Sequence, residues 1–283
     1  MGNIPRRQKL LLTLILVVLV QAIEAANPAN APYRFGVFPY LSPLKMDAVF
    51  SPVGQKLSVL LDRRVNFRTA STMDTFVNRL SKGHYDFAIL QPVLYPLVTD
   101  NFGYVAIAMS EEPLSAQVMV LDSSPLKSVG DLKGKTIATP PLFGPIVHLT
   151  EHELERAGLA PGQDVFLHKK KSIEACFQQM VIGRVDACLA PSFSVPKIKR
   201  SLGRQLRTLL QSGNIPNRLL VVRKALPSAD QTRILNAFLA LGDSSSGDRL
   251  LEAMNTKGFV AFSQDDYKQV RTTLQHMTNA HYY

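Results

Sequence analysis

Compact apolar runs alternate with amphipathic stretches along most of the chain. Residues 33–38, Val65–Arg68 and Phe87–Leu90 have the length and content of buried strands. Between them, Val49, Val53, Leu57, Leu60 and Leu61 fall on one face of a helix over 46–61. Ser71 or Thr72 caps a helix that runs through Leu80, with Phe76, Val77 and Leu80 inward, and Gly83 stops it. Pro92 opens the next helix. The first hundred residues therefore read βαβαβ, the parallel-sheet pattern.

The alternation then recurs. Ala116–Leu121 is a strand. A polar turn, residues 131–135, precedes a strand at 136–138. A proline- and glycine-rich loop leads into a helix that ends near Gly158. Residues 165–168 form a strand, Ser172 caps a helix to Ile182, and 187–190 form another strand. Residues 215–223 carry the chain onward, and 232–241 and 249–254 read as helical. Two α/β halves joined by two crossings predict two lobes facing each other across a cleft. In open α/β sheets, ligands sit beyond the carboxyl ends of the strands. That singles out the loops 39–43, 69–72, 91–95 and 139–145, and the loop after 187–190.

The amino-terminal segment changes the compartment. Arg6, Arg7 and Lys9 precede an apolar run from Leu10 to Val20, and Ala25 supplies a small residue for cleavage. Residues 1–25 read as a secretory signal. The run is short for a bilayer span, which needs about 20 residues, although retention as an anchor stays open. Its strongly apolar core favours the general secretory route over the twin-arginine one. No cysteine follows it, so a lipoprotein is not expected. Asn27 to Pro32 reads as a tether.

Composition adds exclusions. With 46% hydrophobic and 19% charged residues the chain is neither disordered nor fibrous. The net charge of +10 suits anionic solutes, anionic lipid or polyanions. The charge is scattered except at His168-Lys169-Lys170-Lys171, and no aromatic-interleaved basic stripe points to nucleic acid. The lysines read either as an anion funnel or as a solvated turn. His148, Glu151 and His152 share a helix but do not spell His-Glu-x-x-His. They lack an evident third ligand, so no metal or other cofactor is assigned. No Gly-x-Ser-x-Gly elbow or phosphate-binding Gly-Lys-Ser/Thr loop is present, which points to binding rather than catalysis. Cys176 and Cys188, on a helix and on the next strand, form a disulfide if the exported chain is oxidised. Two buried thiols, or a thiol-based metalloid site, remain the alternatives.

Several motifs occur in a familiar order. Asp131-Leu132-Lys133-Gly134-Lys135-Thr136-Ile137-Ala138 resembles a signature of periplasmic solute-binding proteins. So does Ser81-Lys82-Gly83-His84-Tyr85-Asp86-Phe87-Ala88, and Gly183-Arg184-Val185-Asp186-Ala187 repeats that passage. Ile215-Pro216, Val221-Val222-Arg223, Leu226-Pro227 and Gly258-Phe259 resemble the carboxyl-terminal part of the phosphate/phosphite/phosphonate-binding branch. The resemblance covers nearly the whole chain after the signal. It implies a type II periplasmic binding fold: α/β, two lobes, each a mostly parallel sheet flanked by helices, with the ligand cleft between them. Lobe 1 would take residues 33–120, lobe 2 residues 121–215, and 216–283 would return to lobe 1.

The resemblance and the strand-end rule together nominate the site. Tyr40 and Ser42 follow the first strand, Ser71 and Thr72 the second, and Gln91 and Tyr95 the third. The resemblance places an aromatic hydroxyl at Tyr95. Thr139, Phe143 and Gly144 occupy the matching place in the second half, with Ser192 after its last strand. In the loop 139–145 only Thr139 carries a hydroxyl, and its prolines lack N–H donors. A less charged or partly apolar solute fits this loop as well as an oxyanion. The resemblance implies a monomeric periplasmic protein that closes on a small anionic solute, a phosphonate-, phosphite- or phosphate-like oxyanion, with hinge closure stabilised by contacts to both lobes. An ABC permease would read the closed form; alternatively a sensor histidine kinase would, without import.

Overall fold

The computed structural model describes residues 31–140, 144–263, 265, 266 and 268. The signal segment, residues 1–25, lies outside them. Among the described residues no helix is long and apolar enough to cross a membrane.

The first run is β1 (Tyr33–Val37), α1 (Pro43–Leu61), β2 (Val65–Arg68), α2 (Met73–Ser81) and β3 (Phe87–Leu90). A 3-10 turn (Pro92–Leu94) and α3 (Tyr95–Asn101) lead to β4 (Tyr104–Ser110), β5 (Pro113–Leu114) and β6 (Ala116–Leu121). The second run is β7 (Lys135–Thr139), α4 (Gly144–Arg156), β8 (Val165–Lys169), α5 (Ile173–Val181) and β9 (Ala187–Pro191). A 3-10 turn (Ser192–Ser194), α6 (Val195–Leu202), β10 (Leu206–Gln211) and β11 (Ile215–Pro216) follow. β12 (Leu219–Arg223), α7 (Ser228–Leu239), α8 (Ser245–Met254) and β13 (Phe259–Ala261) complete the described order.

The two runs are repeats in register. β2, α2, β3 and the turn after β3 begin at 65, 73, 87 and 92, and their counterparts begin at 165, 173, 187 and 192. Both runs use the same local chemistry. The Thr72 hydroxyl accepts the Thr75 N–H at 3.2 Å, and the Ser172 hydroxyl accepts the Ala175 N–H at 3.0 Å, so each caps its helix. Asp86 accepts the Arg34 N–H at 2.8 Å, and Asp186 accepts the Thr136 N–H at 2.8 Å. A carboxylate before β3 or β9 thus ties that strand to the central strand beside it. Asp86 also binds the Arg34 guanidinium, with Nη2 at 2.7 Å.

β1 pairs parallel with β2, and β7 pairs parallel with both β8 and β9. The six-stranded sheet has the order β13-β4-β12-β3-β1-β2 and the five-stranded sheet β10-β6-β9-β7-β8. The antiparallel pairings β6–β9, β10–β6 and β13–β4 make both sheets mixed. β5 and β11 form a two-stranded ribbon on the two crossings from one sheet to the other.

The chain divides into two compact units. One takes the described residues through Ala88 with Val222–Met254; the other takes Ile89–Val221 with the described residues from Asn255. The first has an aromatic core: Phe35 stacks on Phe87 at 5.1 Å and meets Phe50 and Phe238 edge-on. Gly36 makes room for Tyr85, whose ring atoms lie 2.6–2.8 Å from where a Cβ would stand. Burial raises the Tyr85 phenol above its usual range, partly offset by Arg79.

In the second unit Met119, Ala138, Phe177, Met180, Val195 and Ile198 pack around Cys176 and Cys188. The two cysteines form a disulfide with Cα atoms 5.8 Å apart, joining α5 to β9. This resolves the choice left by the sequence in favour of the pair. Closing a loop between residues 12 apart stabilises by about 3 kcal/mol in the chain-entropy model. The double variant Cys176→Ala/Cys188→Ala is expected to lose that amount in urea denaturation, and reductant should then leave its midpoint unchanged.

Two carboxylates, Asp131 exposed and Asp164 half-buried, brace the entrance to β7. Asp131 accepts N–H bonds from Lys127 and Ser128, and Asp164 accepts one from Ala160. These bonds hold both groups below the ordinary value of 3.8. Their contribution is therefore present above that value and is lost as pH falls through the lowered one.

Candidate functional site

The nominated residues that the structure describes follow the carboxyl ends of the strands. Tyr40 follows β1, and its ring lies 5.0 Å from Phe38 and 6.1 Å from Phe50. Ser42 is the N-cap residue of α1 and is exposed. Ser71 and Thr72 follow β2 and are exposed; Thr72, not Ser71, is the cap. Arg79 of α2 reaches back to the carbonyl of Thr69 and fixes that loop from below. Gln91 follows β3, and its carbonyl accepts the Leu94 N–H at 3.0 Å.

Tyr95 is 3% exposed. Its hydroxyl oxygen accepts the Ala106 N–H at 3.4 Å, and its ring meets Phe262 edge-on at 5.4 Å. The phenol is thus part of the packing between α3 and β4.

In the second run Thr139 ends β7 and is buried; its carbonyl accepts the Lys170 N–H at 2.7 Å. That bond draws the lysine-rich strand end beside Thr139. Gly144 opens α4, and Phe143 lies outside the described residues. Ser192 opens the turn after β9. Its N–H bonds to the Ser115 carbonyl at 2.9 Å, and its hydroxyl accepts the Ser115 N–H at 3.3 Å. Ser115 carried no motif in the sequence; its position just before β6 explains the contact. The structure therefore brings Thr139 to Lys170 and Ser192 to Ser115, while Ser42 and Ser71 stay at the surface.

The helix ends differ in a way that bears on chemistry. α2 and α5, which follow the flanking strands β2 and β8, are self-satisfied. Each uses a hydroxyl cap and carries an acid in its first turn, Asp74 or Glu174. α1 and α4, which follow the central strands β1 and β7, carry no acid there. The Ser42 hydroxyl makes no cap bond, although the Ser42 carbonyl accepts the Met46 N–H at 2.9 Å. The N–H groups of Leu44 and Lys45 belong to the first turn, which has no partner within a helix. A helix start with open donors and no acid attracts an anion.

Among the described residues no group of three or more His, Cys, Asp or Glu could hold an ion. His148 Nδ1 instead lies 2.9 Å from the Glu151 carboxylate.

A family model described as "ABC transporter, phosphonate, periplasmic substrate-binding protein" matches residues 35–267. No curated protein matches the chain. Among solved structures, the ATP-bound XAC2383 protein of Xanthomonas citri superposes with a TM-score of 0.72 at 14% identity, covering 88% of this chain and 98% of that one. PhnD1 from Prochlorococcus marinus, in complex with methylphosphonate, gives 0.69 at 16% identity, covering 87% and 98%. A binding protein component of an ABC phosphonate transporter from Pseudomonas aeruginosa gives 0.66 at 15% identity, covering 86% and 87%. At these identities the likeness establishes the fold: mixed α/β with two sheets flanked by helices, as in type II periplasmic binding proteins.

Proposed function

The chain belongs to the phosphonate family of periplasmic substrate-binding proteins of ABC transporters, and on that premise we propose that its solute is a small oxyanion of the phosphonate, phosphite or phosphate type. Membership makes it a binding component that works with a membrane permease and catalyses no reaction. The family's compartment is the periplasm; removal of residues 1–25 as a signal is part of the proposal. The disulfide fits an oxidising compartment.

One observation carries the choice of an anion: the contrast between helix starts. α2 and α5 complement their own amino ends, whereas the start of α1 has no side-chain cap and neither α1 nor α4 carries an acid in its first turn. The proposed contacts are the Ser42 hydroxyl with the Leu44 and Lys45 amides after β1, and Thr139 with the Gly144 amide after β7. Tyr40, Ser71, Thr72, Gln91, Tyr95, Phe143 and Ser192 complete the proposed set from the neighbouring loops. Lys169 and Lys170 add positive potential at the end of β8.

Calorimetric titration with methylphosphonate, phosphite, phosphate and an aliphatic sulfonate tests this reading. Ser42→Ala is expected to weaken the best anion about tenfold or more, since a hydrogen bond to a charged group contributes roughly 1.5–3 kcal/mol. Its melting temperature should stay unchanged, because the hydroxyl caps nothing. Thr72→Ala should instead lower stability by about 1 kcal/mol, the usual value of a cap. Wild-type affinity in Ser42→Ala, or no anion bound by the parent chain, overturns the assignment.

A further inference from the structure

Between Asp186 and Asp230 the chain carries eight basic residues and no acidic one. The repeat supplies an internal control. Over the equivalent stretch of the first run, residues 87–130, there are four acids (Asp100, Glu111, Glu112, Asp122) and one base, Lys127. The asymmetry is therefore not imposed by the shared backbone.

Arg207, Arg218 and Arg223 are among those used internally. Arg218 pairs with Glu112, Arg223 with Asp86, and Arg207 donates to the carbonyls of Ser124 and Leu126. Lys197, Lys199, Arg200 and Arg204 are exposed, and among the described residues none of them is in an ion pair. They sit on α6 and the residue beyond Gly203, which ends the helix at φ 60°. Val195 and Ile198 pack inward against the core around Phe177 and Met180, which turns Lys197 and Arg200 to the opposite side.

The arrangement exceeds what the helix needs. Lys199 and Arg200 lie in its last turn, where cations complement the carboxyl end. Lys197 lies outside that turn, and its repulsion from Arg200 three residues on is unfavourable without a counter-charge. The acids on neighbouring elements do not supply one. Glu174 is spent on the first turn of α5, and Asp122 adjoins through its backbone, its N–H bonding to the Gln205 carbonyl at 3.0 Å. The counterpart helix α3 carries Asp100 and no base.

We propose that this face, Lys197, Lys199, Arg200 and Arg204, docks on an anionic phospholipid surface and so holds the protein beside the membrane where its permease resides. The absence of an apolar anchor selects lipid over an acidic protein. The exposed large hydrophobic residues of the described chain lie on other elements, while a specific protein interface needs a buried central contact. Mobile cations facing a charged, fluid surface need none.

Vesicle co-sedimentation of the full chain tests the proposal, comparing phosphatidylcholine alone with phosphatidylcholine mixed with phosphatidylglycerol. Any insertion of the apolar residues 10–20 is common to all variants, so the readout is the increment produced by phosphatidylglycerol. That increment is expected at about 0.01 M ionic strength and should vanish near 1 M, where screening acts within about 3 Å. Lys197→Glu/Arg200→Glu/Arg204→Glu should reduce it at least about tenfold, since each cation near such a surface contributes about 1 kcal/mol. Lys169→Glu/Lys170→Glu/Lys171→Glu makes the same change in net charge and should reduce it far less. An unchanged melting temperature keeps misfolding out of the result. Equal loss in both triple variants would show that net charge alone is at work and overturn the proposal. An absent phosphatidylglycerol increment overturns it too, and binding of polyglutamate lost only in the α6 variant would reassign the face to an acidic protein.

Discussion

Gly247→Ala lowers the stability of this protein by about 3 kcal/mol or more, and its melting temperature by about 6–12 °C at the 2–4 °C per kcal/mol expected of a chain this size. Helix propensity alone argues the reverse, because alanine is about 1 kcal/mol better than glycine inside a helix. Space decides the sign. A Cβ on Gly247 would stand 1.8 Å from the Leu241 carbonyl oxygen, 2.9 Å from the Leu241 carbonyl carbon and 3.3 Å from the Gly242 Cα. These are backbone atoms of the 3-10 turn (Ala240–Gly242) that precedes α8, and no rotamer can move them aside. The turn is itself pinned. The Ser244 hydroxyl accepts the Gly247 N–H at 3.2 Å, the Ser244 carbonyl accepts the Asp248 N–H at 2.9 Å, and Lys56 of α1 donates to the same hydroxyl at 3.3 Å. The methyl group must therefore displace the amino end of α8 from its packing on α1. Ser246→Ala, next to it and exposed, is the comparison and should fall within about 0.5 kcal/mol of the parent. A Gly247→Ala midpoint at or above the parent's in urea denaturation would show that the turn can yield and that the argument from close approach fails.

The repeat was legible because buried parallel strands and their caps write themselves into local sequence. β3 and β9 are unbroken apolar runs, and Thr72 and Ser172 each precede an amphipathic stretch that a glycine ends. Elements without that signature were not read. β4 alternates buried and half-buried residues and joins the sheet through partners far away in the chain. β10 carries Arg207 and Thr208 among its leucines because one of its edges is open. α1 begins at Pro43 rather than Met46, and α7 at Ser228 rather than Thr232, since exposed first turns carry no hydrophobic period. In the site, chain order located the loops, but direction was beyond it. Tyr95 reads as a loop aromatic, and only the pairing of α3 with β4 turns its hydroxyl toward Ala106. Whether a serine caps its own helix is likewise a matter of a single rotamer, and it separates Ser42 from Thr72.

The second large loss is expected at Glu112, a residue that no motif marks. Its carboxylate sits in the turn between β4 and β5 and accepts from four groups. Arg218 Nη1 lies at 3.4 Å and Asn217 Nδ2 at 3.2 Å on one oxygen; the Thr256 hydroxyl at 2.8 Å and the Lys257 N–H at 3.0 Å share the other. The side chains of Arg218 and Glu112 are 6% and 11% exposed, so water cannot take over from a lost partner. Arg218 also donates to the carbonyl of Asn255, a left-handed residue at φ 55°. One carboxylate thus gathers the segments flanking β5 and β11, the ribbon on which the chain crosses between its sheets, and the turn before β13. Glu112→Ala should cost about 3–5 kcal/mol, chiefly by stranding the Arg218 charge. Glu112→Leu/Arg218→Met removes both charges and should be less destabilised than either single change, because an apolar pair has no desolvation cost to recover. Its recovery must remain partial, since the buried Asn217 amide loses its acceptor, at about 1–3 kcal/mol for a buried group left unsatisfied, whereas Thr256 keeps the Gly258 carbonyl and Lys257 is exposed. A double-mutant cycle in urea separates these contributions. Additive single losses would mean that Arg218 does not depend on Glu112, and a loss below about 1 kcal/mol in Glu112→Ala would mean that the ribbon is held from elsewhere.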